Sequence, residues 1–219
     1  FDGVMTATLD GEEWSSPTRA PLVMVTEVGQ GSNTRTVSTP VGEMPTISGG
    51  NGYAHALWRG EPDDETDLIP LMHSRLALGT NDWSRPRAIA DAALAWRMTT
   101  GADETVHLVF IRTNDSDRLP AGVYHMRSTD NGSRWSDPQA LYESAYVRLL
   151  DPEEIHLWVA TGPEGGVYAA WDDPRLERAF LARSLDGGES WGETQTIGDP
   201  DDSARRARVI STQGDPLLL

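Results

Sequence analysis

The chain has 219 residues, 38% of them apolar, with 21 Gly, 14 Pro and 8 Trp, a composition that suits a turn-rich folded chain better than a disordered one. Its 18 cations are all Arg, set against 34 acidic residues, and the net charge of −16 disfavours nucleic acid and anionic membranes as partners, because both need a positive surface field. Cysteine is absent, which removes disulfides, thiolate metal sites and cysteine catalysis, and no apolar run approaches the roughly 18 residues of a membrane span.

In chain order, Phe1-Asp2-Gly3 reads as a cut point, being neither a basic leader nor a start methionine. Val4 to Trp14 is predicted as a hairpin, and an insertion is expected within Glu27 to Thr39. Short β-rich runs then follow, bounded by Gly, Asp and Asn: Ala54 to Trp58, Leu94 to Thr99, Val106 to Ile111, Gly122 to Ser128, Gln139 to Tyr142, Ile155 to Ala160, Val167 to Trp171, Arg178 to Ser184 and Thr194 to Ile197. Ala207 to Thr212 and Leu217 to Leu219 complete the series.

These runs repeat. Gly49, Gly101 and Gly162 are each followed six positions later by His55, His107 and Tyr168, and three further on by Trp58, Phe110 and Trp171. Trp14, Trp83, Trp135 and Trp191 recur downstream, three of them opening the pattern Trp-Ser-x-Pro. Intervals of roughly 50–70 residues match one four-stranded propeller blade, with strands a, b, c and d in order. The expected fold class is all-β, a β-propeller with about four blades' worth of chain, forming either a complete ring or part of a six-bladed one. The expected division is a single domain or fragment over 1–219: a c–d hairpin at 1–18, blades at about 19–88, 89–143 and 144–198, and a–b strands at 199–219. Termini at half-blade positions suit a blade shared between the two ends, or association with further blades or another chain.

Ser128-Thr129-Asp130-Asn131-Gly132-Ser133-Arg134-Trp135 and Ser184-Leu185-Asp186-Gly187-Gly188-Glu189-Ser190-Trp191 both fit S-x-D-x-G-x-x-W. In this the chain resembles the sialidase-like propellers with Asp-box (BNR) repeats. Partial copies surround Asp10, Gly11 and Trp14, and Ser74 and Trp83. The resemblance implies that Ser128, Asp130, Gly132, Trp135, Ser184, Asp186, Gly188 and Trp191 are structural, on the face away from the active site, and that the protein is extracellular or periplasmic.

The b–c loops, on the implied active face, are acidic with interspersed Arg. Arg59 and Arg112 end strands b, where the third blade is read as having Asp172; Arg97 lies early in a strand a, and Arg148 on a d–a connection. These five are the candidate ligand-binding residues, since guanidinium groups clamp carboxylates. Sialidases use an Arg triad, a Tyr nucleophile with a Glu partner and an early Arg-Ile-Pro; the chain lacks that tripeptide, and Tyr142 and Glu143 are its candidate catalytic phenol and acid. A calcium site among Asp63, Asp64, Glu65 and Asp67 matches no loop motif. His73, His125 and His156 lack metal-ligand spacing, so no metal or cofactor is expected. Three roles stay open: a module binding a glycan or protein ligand, an exo-sialidase or related glycoside hydrolase, and a structural subunit.

Overall fold

The computed structural model describes residues 5–7, 9, 10, 12–20, 22–28, 35–40, 45–50, 52–80, 82–151, 154–199, 203–210, 217 and 218. The chain divides into two compact units, Phe1–Asp91 and Ala92–Leu219.

In the first unit β1 (Met5–Thr6) pairs antiparallel with β4 (Thr18–Arg19), and between them β2 (Leu9–Asp10) pairs with β3 (Glu13–Trp14). Val4 and Gly11, part of the predicted hairpin and its turn, lie outside the described residues. The predicted insertion contains an antiparallel hairpin wider than the sequence indicates: β5 (Val23–Val28) and β6 (Arg35–Pro40), in register from Val23↔Pro40 to Val28↔Arg35. Residues 29–34 of that insertion lie outside the described residues. A meander follows, β7 (Thr46–Gly50), β8 (Tyr53–Arg59), β9 (Pro70–Ala77) and β10 (Arg87–Asp91), hydrogen-bonded in sequence order.

The second unit holds two more such meanders. One is β11 (Ala93–Thr100), β12 (Val106–Arg112), β13 (Gly122–Ser128) and β14 (Gln139–Glu143); the other is β15 (Leu157–Thr161), β16 (Val167–Asp173), β17 (Arg178–Ser184) and β18 (Gln195–Ile197). The short pair β19 (Val209–Ile210) and β20 (Leu217–Leu218) comes last; residues 211, 212 and 219 of the predicted terminal strands lie outside the described residues. The architecture is all-β, and its four-stranded antiparallel meanders are partial-propeller blades. Among the described residues no helix is long and apolar enough to cross a membrane.

Every residue of β12 is buried, the signature of a strand covered on both sheet faces. One core joins the two sheets of this unit: Val109, Ile111 and Val123 pack with Leu157, Ala169, Trp171 and Phe180. Each large apolar side chain fully buried there contributes about 1.5–3 kcal/mol. A second, alanine-rich cluster on the other face of β15–β18 gathers Ala160, Ala170, Ala179, Ala207 and Val209, with Trp158 and Tyr168 at its margin. Gly122 is required where β13 meets β14, because a Cβ there would lie 2.1 Å from the Tyr142 carbonyl oxygen.

Candidate functional site

Strand order divides the second unit into two ends. At one end the a–b and c–d turns meet: the Gly187 N–H donates to the Gly165 carbonyl (2.9 Å), and Arg127 donates to the Gly187 carbonyl (3.1 Å) and to Glu189 (2.9 Å). At the other end b–c loops meet d–a connections. Arg148 lies 3.5 Å from Asp115, Arg205 lies 2.7 Å from Glu177, and the Ala204 N–H donates to the Glu177 carbonyl.

The turn end is a closed set of short-range bonds. Ser128 Oγ donates to Asp130 and accepts from the Gly132 N–H, while Asp130 accepts from the Arg134 N–H; Ser184, Asp186, Gly188 and Ser190 repeat the circuit. Hydrogen bonds from the Ser190 hydroxyl and N–H, then from Ser184, hold the Asp186 carboxyl well below the usual range. So held, it is no proton donor near neutrality. The Trp-Ser-x-Pro repeat has a physical basis as well: the hydroxyls of Ser84 and Ser136 accept from the Arg75 and Arg127 N–H groups (3.0 Å each). Behind these turns His107 stacks on His125, with His107 Nδ1 3.2 Å from His125 Nε2, and Trp191 Nε1 donates to His125 Nδ1. That last bond places the His125 proton on Nε2, from which it donates to His107. A matching pair, His55 and His73, occupies β8 and β9. Asp63 accepts from the Glu65 N–H and from the Thr66 N–H and hydroxyl, closing its own turn.

The loop end holds most of the candidates read from the sequence. Arg112 is buried and donates to the carbonyls of Asn114 and Leu119, bracing the loop above it. Arg148 spans to Asp115 and bonds the Ala145 carbonyl. Arg59 closes β8 opposite Leu71, in the first unit. Tyr142 is built into the core against Trp171 and Phe180, with ring centroids 5.8 and 4.8 Å away, and its hydroxyl lies 3.5 Å from Asp173. Burial, and then the Asp173 charge, push its phenol pKa up. Glu143 is exposed at the end of β14, and as the next strand residue it leaves the opposite face. The structure therefore does not bring Tyr142 and Glu143 together. Nor do Arg112 and Asp172 share a register: the last pairs of the two ladders are Arg112↔Gly122 and Asp173↔Arg178, so Asp172 lies one step in, on the other face.

That face carries a second constellation, assembled from three segments. The β15–β16 ladder runs Leu157↔Trp171 and Trp158↔Ala170, and continues through the Asp172 N–H to the His156 carbonyl (3.3 Å). His156 and Trp158, two apart, therefore share the Asp172 face. The Asp172 side chain is 1% exposed and accepts from the His156 N–H (3.3 Å), from His156 Nδ1 (3.2 Å) and from the Arg206 N–H (3.0 Å). Arg206 is held at φ +62°, left-handed backbone that costs a non-glycine residue about 1–2 kcal/mol. Two residues on, the Arg208 guanidinium stands 4.5 Å from the Trp158 ring centroid, and Arg97, reaching from β11, stands 5.8 Å from it. Arg97 also donates to the Trp96 carbonyl (2.8 Å). Of the candidates read from the sequence, Arg97 and Asp172 belong here. Sequence reasoning missed Trp158, Arg208 and His156; the dense run Arg205, Arg206, Arg208 in so acidic a chain was the available signal.

No family model matches the chain, and no curated protein is similar to it in sequence. Solved structures do match it. The Aleuria aurantia lectin, in complex with Fucalpha1-6GlcNAc, is 10% identical at a TM-score of 0.50, with 99% of this chain and 63% of that one covered. A xylan beta-1,4-xylosidase from Bacillus halodurans is 16% identical at 0.49, with 100% and 48% covered. A sialidase from Streptococcus pneumoniae is 11% identical at 0.45, with 87% and 28% covered. The fold is that of β-propeller blades. The likeness is one of fold, and the chain spans less than two thirds of the length of each of these three proteins.

Proposed function

We propose that this propeller binds carbohydrate bearing an anionic group, with Arg97, Trp158 and Arg208 as the contact surface. One observation carries the reading: two exposed guanidinium groups attend a single half-buried indole, and among the described residues neither has a carboxylate partner. By contrast, Arg127, Arg134, Arg148 and Arg205 each meet a carboxylate of this chain. The face of an indole ring packs against the apolar face of a sugar ring, and guanidinium groups bind carboxylate or sulfate through paired, charge-assisted hydrogen bonds. The lectin, xylosidase and sialidase neighbours keep the same carbohydrate-related company, and such a ligand suits the extracytoplasmic location expected from the resemblance. An exo-sialidase reading has less support, since Tyr142 faces Asp173 and Glu143 points away.

Calorimetric titration with uronate, sulfated and uncharged oligosaccharides of equal length tests the proposal. Anionic chains are expected to bind at least roughly 10-fold tighter than uncharged ones, the value of one charge-assisted hydrogen bond, and Arg208→Ala should remove that preference. Equal affinity for charged and uncharged chains, or none for either, would refute it.

A further inference from the structure

The binding surface adjoins a group that binding alone does not use. Asp172 is buried and, once ionised, only accepts hydrogen bonds, so the His156 nitrogen facing it, Nδ1, carries the ring proton. In the neutral imidazole Nε2 is then a lone-pair acceptor, and the His156 side chain, 30% exposed, can present it to solvent. An imidazole oriented by a buried carboxylate is the arrangement that makes histidine a general base. The same carboxylate fixes the Arg206 N–H at a left-handed backbone position two residues before Arg208. One buried Asp thus positions both a base and a cationic arm, and Trp158, against which the arm stands, shares the face of the base.

We propose that His156 removes the C5 proton of a uronate whose carboxylate is held by Arg208 and Arg97, so that the propeller cleaves uronate-containing polysaccharide by β-elimination. This rests on the anionic-carbohydrate reading above and selects carboxylate over sulfate. The C5 proton is weakly acidic because the charge left by its removal spreads into the carboxylate. Guanidinium groups at that carboxylate stabilise the developing charge, a preorganised electrostatic effect. His156 Nε2 takes the proton, and the C5–H electron pair becomes the C4–C5 double bond. The C4–O glycosidic bond breaks with its electron pair on oxygen, and that oxygen is protonated by the imidazolium or by water. One fragment ends in a 4,5-unsaturated uronate and the other in a hydroxyl. No water is added and no oxidant is needed.

The test incubates the full chain with polygalacturonate, polymannuronate and a glucuronate polymer. It follows the ultraviolet absorbance of the new double bond, deuterium entry at C5 in heavy water by NMR, and binding by calorimetry. Wild type is expected to form unsaturated product, and His156→Gln to slow it at least roughly 100-fold, the lower range for loss of a general base, with binding unchanged. Binding of these polymers without double-bond formation or C5 exchange would overturn the lyase assignment and leave the binding reading standing. Absence of binding would overturn both. A His156→Gln chain as active as wild type would remove His156 as the base. Should that variant melt early, His156→Ala with added imidazole decides: return of the elimination rate supports the proposal, and no return refutes it.

Discussion

The two ends of the second unit are built differently. At the turn end Ser128, Asp130 and Gly132 are repeated by Ser184, Asp186 and Gly188, bond for bond. At the loop end equivalent positions differ: Arg112 braces its own loop, whereas its register partner Asp173 caps the Arg175 and Leu176 N–H groups and meets Tyr142. Repetition marks what every blade needs to fold. Divergence at fixed backbone positions marks where individual side chains are free to acquire chemistry, the role proposed for His156, Trp158 and Arg208. Substitutions at the turn end should therefore move stability and spare ligand binding, with the converse at the Arg97–Trp158–Arg208 surface.

Among turn-end substitutions the largest stability effect should come from Gly188→Ala. Its φ is +77°, and an added Cβ would lie 2.6 Å from His125 Cε1. Left-handed backbone and overpacking together cost about 3 kcal/mol, readable as a lower denaturation midpoint in urea. Carbohydrate affinity measured well below that midpoint should be unchanged.

Acid should produce the next effect, again at the turn end. Burial, reinforced by Arg127 and opposed by Asp103, lowers the His107 pKa to about 4; burial, with His107 and Arg127, lowers that of His125 to about 3. His55 and His73 are lowered to about 4 and about 3, chiefly by burial. Unfolded histidine takes its proton near 6.5. As pH falls from 6.5 towards 4 the unfolded chain thus binds more protons than the folded one, and stability declines with it, by a few kcal/mol in order of magnitude. Urea midpoints at pH 7, 5.5 and 4.5 should fall in that order. Phenylalanine at both positions of the His107/His125 pair should flatten the dependence.

Asp172→Asn sharpens the contrast, because Asp172 is the loop-end residue on which both stability and binding are expected to depend. The buried carboxylate accepts three hydrogen bonds, and an amide would turn an N–H group towards at least one of those donors. A loss of about 1–3 kcal/mol is expected, together with weaker uronate binding as the Arg206–Arg208 segment loses its anchor. Unchanged affinity would show that Arg208 is held by other contacts.

The strands were legible in the sequence, and the site was not, for a physical reason. Alternating apolar residues between Gly, Asp and Asn are local signals, and the Ser, Asp and Gly of the turns act within five residues of one another, so the four-stranded meanders and their order could be read directly. Trp158, Arg208 and Arg97 meet only because three inner strands lie side by side, a long-range arrangement without sequence spacing. His156 becomes distinctive only through register, which sets it opposite Asp172. Tyr142 and Glu143 looked paired because they are adjacent, and adjacency in a strand is what separates two side chains.

Arg148→Ala should have the smallest effect, and it marks how far the site extends. Arg148 was a natural candidate by position, yet its side chain is 48% exposed and its partner Asp115 is 41% exposed at 3.5 Å. A pair so open to solvent contributes at most about 1 kcal/mol, and often nothing measurable, because water screens the attraction and two mobile side chains must be ordered. Its other bond, to the Ala145 carbonyl, lies within its own 3-10 turn, Ala145–Leu149. Removing the guanidinium should leave both the urea midpoint and uronate affinity unchanged, whereas Arg208→Ala lowers affinity alone. A matching fall in affinity for Arg148→Ala would mean that the ligand reaches the loop over β12 and β13, and that the binding surface is a groove along the loop end instead of a patch around one indole.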